Sequence, residues 1–207
     1  PPDPLDDLED GLDPFAPEWF VKRRRALREG GSRGLREELE GSGSIFQTSC
    51  DSEIILHLMA QPVHPDRESN LIHALKRIRG AFSLVLMSGR EVIGVRDPLG
   101  LRPLSIGRIG DAWLLSSETC AFDLVHADFV RDVEPGEVVI LSKSGLRSLH
   151  PFPDQTQRAF CIFEFVYFAR PDSNLLGANV AAARMNMGRE LARMHPVKAD
   201  VVIPVPD

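Results

Sequence analysis

Two runs of four consecutive apolar residues constrain this chain most: Leu84-Val85-Leu86-Met87 and Val138-Val139-Ile140-Leu141. Each is short and is followed by turn residues, Ser88-Gly89 after the first and Ser144-Gly145 after the second. Short apolar runs bounded by turns read as strands. A strand with one wet face alternates apolar and polar residues, and these do not, so both faces are expected to be covered. Each run has a partner across its turn, giving hairpins 81–87/91–95 and 138–141/146–149. A third, 104–106/112–116, closes through Gly110-Asp111. Helices are expected over 35–40, stopped by Gly41-Ser42-Gly43, then from Asp51 or Ser52 to Ala60, over 68–79 and over 118–124. In the second of these, Ile54, Ile55, Leu58 and Met59 share a face. Residues 44–48 read as a short extended piece. Antiparallel hairpins with helices before and between them predict an α+β fold, a four-layer α/β/β/α sandwich of two sheets flanked by helices.

The pattern changes near residue 150. Pro151, Pro153 and 154–158 read as a linker. An apolar β run over 160–168, a helix over 179–194 and a buried strand over 199–205 then predict the start of an α/β domain. Val180, Ala183, Met187, Leu191 and Met194 fall near one face of that helix. At the other end, residues 1–20 hold seven acidic residues and no basic one, while 21–34 hold six basic residues and one acid. Segregated charge with Pro and Gly reads as a disordered or foreign leader. The expected division is a leader over 1–34, a partial sandwich domain over 35–153, and a linker with the start of a second domain over 154–207.

Composition excludes several functions. A net charge of −6 argues against nucleic acid as a partner. The longest apolar runs reach about half a membrane span, so no membrane is expected. Cys50, Cys120 and Cys161 are too few and too scattered for a disulfide framework or a zinc knuckle, and suit a reducing cytoplasm. The six histidines are dispersed without metal-ligand spacing, and no phosphate-binding glycine loop or H-E-x-x-H appears.

Four segments could carry chemistry. In Gln47-Thr48-Ser49-Cys50-Asp51-Ser52-Glu53, Asp51 is either a helix cap or the holder of a ligand's ammonium group. In Arg96-Asp97-Pro98-Leu99-Gly100-Leu101-Arg102-Pro103-Leu104, the two arginines either bind a carboxylate or stiffen a loop. Ser116-Ser117-Glu118-Thr119-Cys120 reads as a strand end and a capped helix, with Cys120 as a small core residue. In Cys161-Ile162-Phe163-Glu164-Phe165-Val166-Tyr167-Phe168-Ala169-Arg170-Pro171-Asp172-Ser173, Cys161 reads as a buried thiol. Glu164 interrupts an apolar stretch and must be paired or at an edge.

Together these segments resemble the glutamine phosphoribosylpyrophosphate amidotransferases, from about Leu35 to Asp207. The Arg96–Leu104 loop resembles class II glutamine amidotransferases in general; the stretch from Cys161 to Ser173 is narrower and resembles this family. The resemblance implies the N-terminal-nucleophile hydrolase sandwich. It implies a reaction in which an N-terminal Cys, with its own α-amine as base, releases ammonia from glutamine. An Asn-Gly pair supplies the oxyanion hole. The ammonia then converts phosphoribosylpyrophosphate to 5-phosphoribosylamine, the first step of purine (IMP) synthesis. The resemblance also implies a cytoplasmic homo-oligomer whose substrates are glutamine and phosphoribosylpyrophosphate, with Mg2+ at the transferase site.

By the same resemblance, Asp51 holds the α-amino group of glutamine. Cys161 matches one iron–sulfur ligand position of some members, but no cluster is expected. Pro1 stands where the family has its nucleophile, and Arg25–Gly34 stands where the Asn-Gly pair is due. No catalytic residue is therefore assigned, and the chain is expected to be an inactive fragment. The alternative is a non-catalytic, degenerate glutaminase module that binds glutamine or a protein partner.

Overall fold

A computed structural model describes residues 31–61, 63–153 and 157–203. Residues 1–30 of the expected leader lie outside them, as do 154–156 of the linker and the last residues from 204. The described chain falls into two compact units, one ending at Gly80 and the other starting at Ala81.

The first unit is helical: α1 (Ser32–Gly41), α2 (Ser52–Ala60) and α3 (Arg67–Arg77). The first helix starts three residues before the expected boundary at Leu35. Leu39, Ile54, Leu58 and Ala74 form its core, with Leu35, Phe46, Met59 and Ile78 packed around them. The helical spacing of these residues puts them on facing stripes, and each fully buried large aliphatic side chain contributes about 1.5–3 kcal/mol. Asp66 caps α3 by accepting the Ser69 N–H at 2.8 Å, and Lys76 and Arg77 complement its C-terminal dipole. Residues 44–48 are not the expected extended piece. The N–H groups of Gln47 and Thr48 go to the Glu53 carboxylate, so the segment is an irregular loop.

The second unit holds two antiparallel sheets. One has β1 (Ser83–Ser88), β2 (Glu91–Arg96), β6 (Val138–Ser142) and β7 (Gly145–Leu149) in the order β1-β2-β6-β7. The other has β3 (Ser105–Ile109), β4 (Ala112–Ser116) and β5 (Asp128–Asp132) in the order β4-β3-β5. All three expected hairpins are present. Leu104, Ile106, Val133 and Val139 are buried together, with Trp113, Leu115 and Leu146 against them, so residues of both sheets share one core. On the other face of β3 lies α4 (Cys120–Leu124). A Cβ on Gly107 would stand 2.6 Å from the Phe122 ring, so only glycine lets this helix lie so close.

The covered-face expectation holds for one apolar run and fails for the other. Val138 to Leu141 are all buried in the centre of their sheet. In β1, Val85 and Met87 are 57% and 84% exposed while Leu84 and Leu86 are half-buried, so this strand alternates after all. Strand β5 was not foreseen. Its sequence Asp-Phe-Val-Arg-Asp carries no clean alternation, and it is recruited by pairing with β3 across a bulge at Ile106/Gly107.

The expected β run over 160–168 is instead a loop leading into a wide helical turn, Glu164–Phe168. Its signature is the Ala169 N–H on the Glu164 carbonyl, five residues back. Periodicity cannot separate a short buried strand from a short helical segment, and here Glu164 finds its partner Arg102 from within the helical turn. A two-residue hairpin of β8 (Asn174–Leu175) and β9 (Ala178–Asn179) follows, then α5 (Val180–Met194). The Asn179 side chain caps α5 by accepting the Ala182 N–H at 3.0 Å. Val180 is buried, but Met187, Leu191 and Met194 are exposed. Residues 199–203 form no strand, and Val201, Val202 and Ile203 are exposed; the last two residues of that expected strand lie outside the described residues. Among the described residues no helix is long and apolar enough to cross a membrane.

Candidate functional site

The turn between α1 and α2 is built around one carboxylate. Glu53 accepts the Gln47 N–H at 2.8 Å, the Thr48 N–H at 2.9 Å and the Thr48 hydroxyl at 2.6 Å. These donors, the Gln47 N–H foremost, hold its pKa down to about 2. The Thr48 hydroxyl oxygen in turn accepts the Cys50 N–H at 3.1 Å. The exposed Cys50 thiol lies 2.9 Å from Ser52 Oγ, and the hydroxyl and N–H of Ser52 hold it below the usual thiol value.

Asp51 stands at the N-cap position of α2 with helical backbone angles, and its side chain makes no capping bond. The cap reading therefore fails geometrically. Its carboxylate is exposed and carries no hydrogen bond from any described residue, so it is available to an external cation.

Because the folded pKa of Glu53 lies below its unfolded value of 4.5, its hold on the turn is complete above that pH and fades as pH falls toward 2. Amide resonances of Gln47 and Thr48 should titrate with a midpoint near the lower value, about 2. A midpoint near 4.5 would show that the carboxylate is not held by these donors.

The two arginines of the 96–104 loop are structural. Arg96 is buried and donates to the carbonyls of Arg102 at 2.7 Å, Val133 at 2.7 Å and Gly100 at 3.0 Å. Asp97 accepts the N–H groups of Leu99 and Leu101, each at 3.0 Å. Burial pushes its carboxyl above the usual value, against the pull of these N–H donors. Gly100 takes φ +68, which the turn needs and other residues resist. Arg102 pairs with Glu164 at 2.6 Å and lies over the Phe168 ring at 4.6 Å. Glu164 is thus buried and paired, as its sequence context required. The loop also seats the following segment through its backbone, Ala159 N–H on Leu99 and Cys161 N–H on Leu101.

The other two motifs meet each other. Glu118 accepts the Arg170 N–H at 2.7 Å and the Ser173 hydroxyl at 2.8 Å, and the Thr119 hydroxyl accepts the Asn174 N–H at 2.8 Å. Cys120 is buried, as expected; Cys161 is only half-buried, against expectation, because its segment is a loop on the surface of the unit. Among the described residues no three His, Cys, Asp or Glu side chains stand together as a metal site. The sequence marked Asp51 and Glu164. It gave no sign of Arg36, which donates to the Thr48 carbonyl at 2.6 Å, or of the reach of Glu118 across the unit.

Residues 31–123 match a glutamine amidotransferase domain. The amidophosphoribosyltransferase of Bacillus subtilis is 46% identical over 173 residues, covering 84% of this chain and 36% of that protein. Over this stretch the chain is similar to the amidophosphoribosyltransferases. The enzyme of Methanothermobacter thermautotrophicus is 45% identical over 180 residues, 85% of this chain and 37% of that one. Among solved structures, the B. subtilis glutamine phosphoribosylpyrophosphate amidotransferase complexed with ADP and GMP superposes with a TM-score of 0.79 at 44% identity, over 82% of this chain and 37% of that one. The mixed α/β fold with antiparallel sheets is therefore that of amidophosphoribosyltransferases over their glutamine amidotransferase region. The chain spans little more than a third of the length of these relatives, 36% and 37% of the two proteins named.

Proposed function

We propose that this chain forms part of a glutamine-dependent amidophosphoribosyltransferase. In this reading ammonia from the glutamine amide displaces pyrophosphate from phosphoribosylpyrophosphate and yields 5-phosphoribosylamine, the first step of purine synthesis. Residues 35–153 belong to the glutaminase domain, an N-terminal-nucleophile sandwich, and 154–207 to a linker and the opening of the transferase domain. Support comes from the matched amidotransferase domain, the relatives' names and the shared core of the two antiparallel sheets. Mg2+ belongs to the transferase side of this reading, and no metal step is derived from the described residues. Cys161 belongs to no group of three His, Cys, Asp or Glu side chains among the described residues, and no iron–sulfur cluster is proposed. A cytoplasmic homo-oligomer fits the reading and the three free thiols.

The observation that carries the glutamine side is the uncommitted Asp51 carboxylate, exposed at the start of α2 on a turn held from behind. An ammonium group satisfies such a carboxylate with charge-assisted hydrogen bonds. Calorimetric titration of the chain with L-glutamine should give saturable heat. Asp51→Asn keeps the shape and removes the charge, and should weaken binding by about tenfold or more. Equal affinity in the two proteins, or no heat with either, would sink the glutamine reading.

A further inference from the structure

We infer that Arg36 is a positioning residue for the Asp51 turn, and that the order it imposes sets the affinity of the turn for an α-amino acid. The second half rests on the proposed glutamine reading. Three contacts converge on this side chain. Its Nη2 donates to the Thr48 carbonyl at 2.6 Å. Its guanidinium lies over the Phe46 ring, 4.1 Å from the centroid. The same Nη2 stands 4.0 Å from Glu53 Oε2, the oxygen that holds the Thr48 N–H and hydroxyl.

Phe46 has a second neighbour. The His57 ring lies 4.2 Å from the Phe46 ring, and His57 Nε2 is 3.7 Å from the other Glu53 oxygen. Arg36, Phe46 and His57 therefore form one cluster beside the turn, with Glu53 close to both Arg36 and His57. Arg36 also pairs with Glu40 at 3.8 Å on its own helix, which limits its rotamers.

The consequence is an asymmetry within the turn. Residues 47, 48 and 53 are fixed by hydrogen bonds, while the Asp51 carboxylate is left with none from the described residues. Glu53 holds the N–H side of residue 48 and Arg36 holds its carbonyl side. Removing Arg36 frees the peptide plane between Thr48 and Ser49, two peptide bonds upstream of Asp51, whose carboxylate must meet the ligand. A planar guanidinium can stack and donate at once, which a lysine ammonium cannot. A carboxylate already in place does not have to be ordered when the ligand arrives, so loss of order weakens binding without touching the charge.

The test uses the full 207-residue chain in two arms. In the first, amide hydrogen exchange is compared between wild type and Arg36→Met. Exchange at Gln47, Thr48 and Cys50 should quicken by about tenfold while amides in the middle of α3 keep their rates. Unchanged rates at the turn, or equal quickening throughout the helices, would overturn the inference. In the second, L-glutamine is titrated into wild type, Arg36→Met, Asp51→Asn and the double variant. Arg36→Met should weaken binding by about tenfold, and should add little once Asp51 is already Asn. Full additivity would mean that Arg36 does not act through Asp51, and would also overturn the inference. If the turn loosens in the first arm but wild type takes up no glutamine, the positioning of the turn stands and the functional reading fails.

Discussion

Replacing Arg96 by Met should cost the second unit about 3–5 kcal/mol, because two buried carbonyls and one half-buried carbonyl lose their donor together. Arg96 is only 3% exposed, and its Nε, Nη1 and Nη2 each reach a different backbone carbonyl, those of Arg102, Val133 and Gly100. A Met side chain fills similar space and offers no donor. Each orphaned buried acceptor costs about 1–3 kcal/mol. Arg96→Lys should recover little, since one ammonium cannot serve carbonyls lying in three directions. Urea denaturation followed by circular dichroism, with amide exchange in β2 and β6, measures the loss. A loss below about 1 kcal/mol would show that water reaches these carbonyls and that the guanidinium is dispensable. The same variant separates the two readings of the loop. A residue spent on backbone carbonyls affects stability, whereas a carboxylate ligand would affect binding alone.

How much of this was legible beforehand depends on the range of the physics involved. Hairpins around Ser88-Gly89, Gly110-Asp111 and Ser144-Gly145 were legible because turn chemistry and strand length are local. The helices of the first unit were legible because their apolar residues recur at helical spacing. The demand for a partner at Glu164 was legible, since a carboxylate in an apolar run cannot stay alone. The partner was not: Arg102 lies 62 residues away, and only the fold brings it to 2.6 Å. The shape of 160–168 was hidden for the same reason. A run of Phe, Val and Tyr suits a strand, but the pairing of Glu164 with Arg102 and the stacking of Phe168 on that arginine suit a helical turn. Asp51 was singled out with its two roles unresolved. The structure removes the capping role, and the ligand role stands as the proposal made above from chemistry and resemblance. Arg36 was invisible because its partners, Phe46 and Thr48, lie beyond the end of its own helix.

Glu137→Ala should destabilise the same unit by about 3 kcal/mol, and its acid dependence gives an independent check. Glu137 is 1% exposed and takes both guanidinium nitrogens of Arg131, at 2.8 and 2.7 Å, with the Glu134 N–H at 2.7 Å. Truncation strands the N–H and the guanidinium and leaves a cavity at the start of β6. Burial alone would raise the carboxyl, but the Arg131 pair, Ser148 and the Glu134 N–H outweigh it and hold the group below its usual 4.5. A lowered folded pKa places the stabilisation above the unfolded value and removes it as pH falls. Stability of the wild type should therefore drop as pH is lowered from about 5, and Glu137→Gln should flatten that slope. An unchanged slope would mean that Glu137 is not the group responsible.

The two large effects also meet at one corner. Arg96 holds the Val133 carbonyl, Glu137 holds the Glu134 N–H, and the Gly136 N–H reaches the Asp97 carbonyl. All three fix the turn over 133–137 that delivers the chain from β5 to β6, and so from one sheet to the other. Either substitution alone loosens that turn, so the double variant Arg96→Met/Glu137→Ala should lose less than the sum of the two by about 1 kcal/mol or more. Strict additivity would place the two side chains in separate networks and break the account of how the sheets are joined.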